Sequence, residues 1–150
     1  MFNLTRIMRA PTGGPGAGGA ATWDTRKHEW LSQLEAFYGL IEQWLEPYRV
    51  SGQLRYDYHP VSLLEELIGS YSARSLTLHF TGKHVLLRPV GAMLSDSRGR
   101  IDMEGPRGKA RFVLIGSQWK ILFRDGSKTC HEDFNEDNFL KALLELTSEL

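Results

Sequence analysis

Residues 99–124 read GRIDMEGPRGKARFVLIGSQWKILFR, and the turns inside this stretch decide the fold. With Pro106–Arg107 as a two-residue loop, Glu104 faces Lys109, Met103 faces Ala110, Asp102 faces Arg111 and Ile101 faces Phe112. Acid meets base on one side of the ribbon and apolar meets apolar on the other; a slip of one residue destroys both matches. With Gly116–Ser117 as the next loop, Leu114 faces Trp119, Phe112 faces Ile121 and Ala110 faces Phe123. Two independent turns thus place one dry face across three strands.

The same reading extends upstream. A loop at Thr81–Gly82 sets Leu78 against Val85 and Leu76 against Leu87. Pro89 and Gly91 interrupt the strand that follows and predict a bend or bulge. A turn at Ser95–Gly99 leads into the strand of Ile101, and the alternation of Leu54, Tyr56 and Tyr58 with Arg55 and Asp57 suggests one more strand. Residues 60–69 fit two descriptions. Pro60 at a first helical position and Gly69 past the end suit a short helix with Val61, Leu64, Leu67 and Ile68 on one face, but a run this short also suits a strand.

Two helices flank the strands. Over 24–48, Trp30, Phe37 and Trp44 recur at one spacing, as do Leu31, Tyr38, Leu45 and Leu34, Ile41, Tyr48. Three adjacent columns form a stripe broader than a coiled-coil seam, the kind that covers a sheet. Asp24 or Thr25 caps its start and Pro47 lies near its end. At the C-terminus Asn135 is the cap, Phe134 and Phe139 form a hydrophobic staple, and Glu136 and Asp137 occupy the first turn. The expected fold is α+β: a long N-terminal amphipathic helix, an antiparallel meander of about five to six strands, and a C-terminal helix packed on one sheet face.

Composition sets the outer limits. The chain has 150 residues, a formal net charge of zero and one cysteine, Cys130. That is the size of one domain with no internal disulfide, and no apolar run is long enough to span a bilayer. Residues 1–22, with PTGGPGAGGAAT at their end, read as a flexible tail ahead of a single domain at 23–150. No secretory signal is evident, so the expected location is cytoplasmic.

Candidate chemistry is sparse. His79 and His84 face each other across the Thr81–Gly82 hairpin, away from Leu78 and Val85; two imidazoles are short of a zinc ligand set, and they read as solvent-facing strand residues. Cys130 and His131 are neighbours on an extended segment and point apart, so the cysteine reads as a loop thiol before the last helix. Asp133, Asn135 and Asp137 resemble the opening of an EF-hand loop, which fails at Asn138 and Leu144 where glycine and a bidentate glutamate are needed. Neither a phosphate-binding glycine loop nor a nucleophile elbow occurs. No cofactor is implied.

Charge is segregated. Ten bases and four acids lie between Lys83 and Lys128, whereas six acids and one lysine lie between Glu132 and Glu149. These features point to a non-enzymatic protein-interaction module, an accessory, adaptor, immunity or chaperone-like subunit of a bacterial assembly. A protein partner is expected on the solvent face of the sheet through Arg88, Arg98, Arg100, Arg107, Lys120 and Arg124, or on an exposed edge. The alternative is a nucleic-acid binder using the same bases; a third reading is a small-ligand pocket under Trp30, Phe37 and Trp44.

Overall fold

The fold was analysed in a computed structural model, which describes residues 18–92, 98–125 and 128–148. Among these residues there are two helices, α1 (Gly18–Val50) and α2 (Glu136–Thr147), and one antiparallel sheet. Its strands are β1 (Arg55–Glu65), β2 (Gly69–Phe80), β3 (Lys83–Gly91), β4 (Gly99–Gly105), β5 (Gly108–Ile115), β6 (Gln118–Asp125) and β7 (Lys128–Asp133). They lie side by side in chain order, so the sheet is a seven-stranded meander and the fold is α+β.

Each register expected from the turns is present. Asp102 pairs with Arg111, Ile101 with Phe112, Phe112 with Ile121 and Leu78 with Val85. In the β2–β3 turn Thr81 and Gly82 both take positive φ, 49° and 75°, the backbone whose twist matches a two-residue hairpin. The β3–β4 register shifts between Pro89 and Gly91, the interruption that the sequence suggests.

One open reading is resolved and two elements differ from expectation. Residues 60–69 are not a helix: β1 continues through Pro60 to Glu65, and after a turn Gly69, at φ 94°, opens β2. Proline is tolerated there because β1 is an edge strand. The segment around Cys130 is the edge strand β7, with Phe123 opposite Cys130 and Leu122 opposite His131, rather than a loop. Of these two segments only β7 adds a strand, bringing the number to seven against the expected five to six, while residues 60–65 lengthen a strand already expected. Helix α1 begins at Gly18, ahead of residue 24, and carries Pro47 in its last turns. Of the expected tail, residues 1–17 lie outside the described residues, as does most of the turn expected at Ser95–Gly99.

Phe112 shows how the layers meet. Its ring lies 5.0 Å from that of Phe37 on α1 and 6.3 Å from that of Phe139 on α2, so both helices cover the same face of β5. Leu76, Leu78, Val85, Leu87, Ile101, Met103, Ala110, Leu114, Trp119 and Ile121 complete that inner face, all buried. Trp30 approaches β4 so closely that a Cβ on Gly99 would sit 2.5 Å from its ring; only glycine fits there.

Helix α2 starts as the sequence indicates. The Asn135 side chain accepts from the Asn138 backbone N–H at 2.9 Å, and the staple rings of Phe134 and Phe139 lie 6.4 Å apart. At its other end the Arg107 backbone N–H donates to the Leu146 carbonyl at 2.9 Å, tying the β4–β5 turn to the last helical turn.

Candidate functional site

The outer face of the sheet, opposite the helices, holds most of the bases singled out in the sequence. Alternation along β3, β4, β5 and β6 brings Arg88, Arg100, Asp102, Glu104, Lys109, Arg111 and Lys120 to this side. Asp102 is the centre of the group, with its side chain only 8% exposed. Arg100 donates to both of its oxygens, at 2.9 and 3.1 Å. Arg88 and Arg111 approach the same carboxylate at 3.7 and 3.8 Å. Arg88 also donates to Glu104 at 3.0 Å, and Lys109 lies 3.9 Å from that carboxylate. Lys120 donates to Asp133 of β7 at 2.5 Å. Five cations thus share three carboxylates, and the patch is positive overall.

The structure does not gather every candidate into this patch. Arg98 is exposed just before β4, and its backbone N–H donates to the Leu114 carbonyl at 2.7 Å. Arg107 is exposed in the β4–β5 turn, at the opposite end of β4. Arg124 lies on β6, where its side chain is outside the described residues; the same holds for Cys130 on β7. Apolar residues are interleaved with the charges. Val113, between Arg100 and Lys120, is buried, and Leu86 and Leu122 are half-buried.

A second cluster lies on the outer side of β1–β3. His79 and His84 are directly opposite, as expected, with their Nδ1 atoms 2.7 Å apart. The Nε2 of His79 is 3.2 Å from one oxygen of Asp57, and His59 Nε2 is 2.7 Å from the other. Burial pushes the Asp57 carboxyl up, but hydrogen bonds from His59 and His79 outweigh it and hold the group below the ordinary carboxylate range. Sequence reading missed Asp57 and His59 as members. The β1–β2 pairing that joins them requires the turn at residues 66–68, and the ambiguity of 60–69 concealed it. Among the described residues no three His, Cys, Asp or Glu side chains are placed together to hold a metal ion.

A third polar group stitches α1 to the strands. Trp30 Nε1 donates to the Tyr71 hydroxyl at 3.0 Å, and Tyr71 donates to Glu65. Glu65 in turn accepts from the Ala92 backbone N–H at 3.1 Å, and Arg26 donates to the Ala92 carbonyl at 3.1 Å. Burial, and then the hydrogen bond to Glu65, raise the Tyr71 phenol well above its ordinary value. Each donor in this chain has an acceptor, the condition for placing polar groups beside a core.

The aromatic stripe of α1 fills the interior. The Phe37 ring stacks on Phe134 at 4.7 Å and meets Trp119 at 4.9 Å, while Trp44 lies 5.0 Å from Phe134. The EF-hand resemblance also resolves into helix-start geometry: Asn138 uses its backbone N–H on Asn135 and its side-chain amide on the Asp133 carbonyl.

No protein-family model matches the chain, and neither does any curated protein or solved structure with which it was compared. Among the described residues no helix is long and apolar enough to cross a membrane.

Proposed function

We propose that this chain is a non-enzymatic protein-interaction module that docks an acidic protein partner on the outer face of its sheet. The observation that carries the reading is the Asp102 group. A nearly buried carboxylate fixes the Arg100 guanidinium bidentately and draws Arg88 and Arg111 toward the same point. Guanidiniums held in place before binding lose less side-chain freedom on association. Arginine is enriched in protein interfaces, and the half-buried Leu86 and Leu122 supply apolar area between the charges. The role in view is an accessory, adaptor, immunity or chaperone-like subunit of a bacterial assembly in the cytoplasm.

The test is affinity capture with the tagged full chain, with a parallel arm treated with nuclease. Capture of a defined acidic protein in both arms, lost on Arg88→Ala with Lys120→Glu at an unchanged melting temperature, is the expected result. Capture that persists in the double variant overturns the reading.

Nucleic-acid binding is the second reading, favoured by the surplus of cations over carboxylates on this face. It requires binding that weakens steeply as salt is raised and capture that disappears in the nuclease arm. The aromatic rings that would stack on bases weigh against it, because Phe112 and Trp119 are buried on the inner face rather than interleaved with the cations.

A further inference from the structure

The histidine cluster on β1–β3 supports an inference independent of partner docking. We propose that His79 and His84 form a two-imidazole chelate for a borderline divalent transition-metal ion of square or octahedral preference (Cu2+ or Ni2+), with Asp57 as its outer-shell partner. Register places the two residues opposite each other, and their Nδ1 atoms face one another at 2.7 Å. Metal–nitrogen bonds of about 2.0–2.1 Å set neighbouring ligand nitrogens about 3 Å apart, so the pair needs to open by only a few tenths of an ångström. The rings are nearly perpendicular, at 82°, and His84 is exposed, so once its Nδ1 proton is displaced the ring has room to turn a lone pair toward a shared ion.

The second half of the argument is the other nitrogen of His79. Its Nε2 is 3.2 Å from Asp57, which makes it the donor to that carboxylate and leaves Nδ1 as the lone-pair atom of the neutral ring, accepting from His84 Nδ1 at 2.7 Å until an ion takes the place of that proton. A carboxylate behind a histidine is the arrangement that orients metal-ligating imidazoles and raises their basicity. His59, on the other Asp57 oxygen at 2.7 Å, holds the carboxylate in that position. Water completes the coordination sphere, and imidazole donors select these ions over magnesium or calcium.

The experiment uses tag-free full-length protein titrated with NiCl2 at about pH 7.5, followed by calorimetry and by the imidazole resonances of the histidines. One Ni2+ is expected to bind, reversibly with chelator, and to perturb His79 and His84 first. His84→Ala should lower the affinity at least tenfold and Asp57→Asn by about tenfold, and binding should weaken as pH falls because protons compete for the imidazoles. His28→Ala and Cys130→Ser should bind as the parent does. Because His84 is exposed, its variant should keep the parent melting curve, and the resonances of the parent protein report the site without any substitution. The proposal is overturned if Ni2+ does not bind, if binding survives His79→Ala with His84→Ala, or if it follows His28 or Cys130.

Discussion

Strand β5 presents Ala110, Phe112 and Leu114 to helices α1 and α2, and from its other side presents Lys109, Arg111 and Val113 to ion pairs and solvent. The inner contacts remove rings and methyl groups from water, an effect that depends little on salt or on exact angle. Apart from the buried Asp102, the outer contacts are charge pairs whose members are partly exposed, so each of those contributes little to stability and much to fixing the geometry of the surface. The two sides of one ribbon therefore divide the work: one holds the fold, the other presents a pattern.

The largest effect expected from that division is on the inner side. Phe112→Ala, which removes the ring shared by Phe37, Phe134 and Phe139, should cost about 3–5 kcal/mol by urea denaturation. A cost below about 1 kcal/mol would mean that the inner face does not hold the fold.

Alkali comes next. Burial, reinforced by Glu35 at Tyr38, Glu42 at Tyr58 and Glu65 at Tyr71, raises all three phenols above their ordinary value of 10.0. The folded state then keeps these protons at a pH where the unfolded chain releases them. Stability from these phenols is complete below about pH 10 and declines as pH rises above it. Urea midpoints from about pH 8 to about pH 11 should fall, and fall less in Tyr71→Phe.

On the outer side, Asp102→Ala should cost about 1.5–3 kcal/mol, since it removes the charged acceptor of Arg100 and leaves Arg88 and Arg111 without their shared counter-charge. Lys120→Ala, which breaks a pair with the exposed Asp133, should cost no more than about 1 kcal/mol and less at high salt. An outer-face substitution that rivals Phe112→Ala would erase the distinction between the two sides.

The sequence made the interior of the sheet legible and left its margins obscure. Registers through Asp102–Arg111 and Phe112–Ile121 could be read because both sides of those ribbons carry information, charge on one and apolar bulk on the other. Edge strands carry less. Strand β7 reads Lys-Thr-Cys-His-Glu-Asp, with no apolar alternation to mark it, and β1 runs through a proline that also suits a helix start. The bases of the outer face were visible in the sequence, but their convergence on Asp102 was not. The cross-strand pair with Arg111 was legible, whereas the diagonal approach of Arg88 and the same-strand grip of Arg100 depend on side-chain conformations that no pattern of residues reveals. The histidine cluster was half visible for the same reason: the His79–His84 pair follows from one turn, and the link to Asp57 and His59 depends on a second turn that was ambiguous.

The two marginal strands have a consequence for self-assembly. A meander that does not close into a barrel has two rims of backbone groups open to another chain, which is how fibres are seeded. Here one rim is interrupted by Pro60 and the other strand carries His131, Glu132 and Asp133, side chains that resist stacking against their own kind. Copies of this molecule should therefore resist adding to one another strand by strand at high concentration.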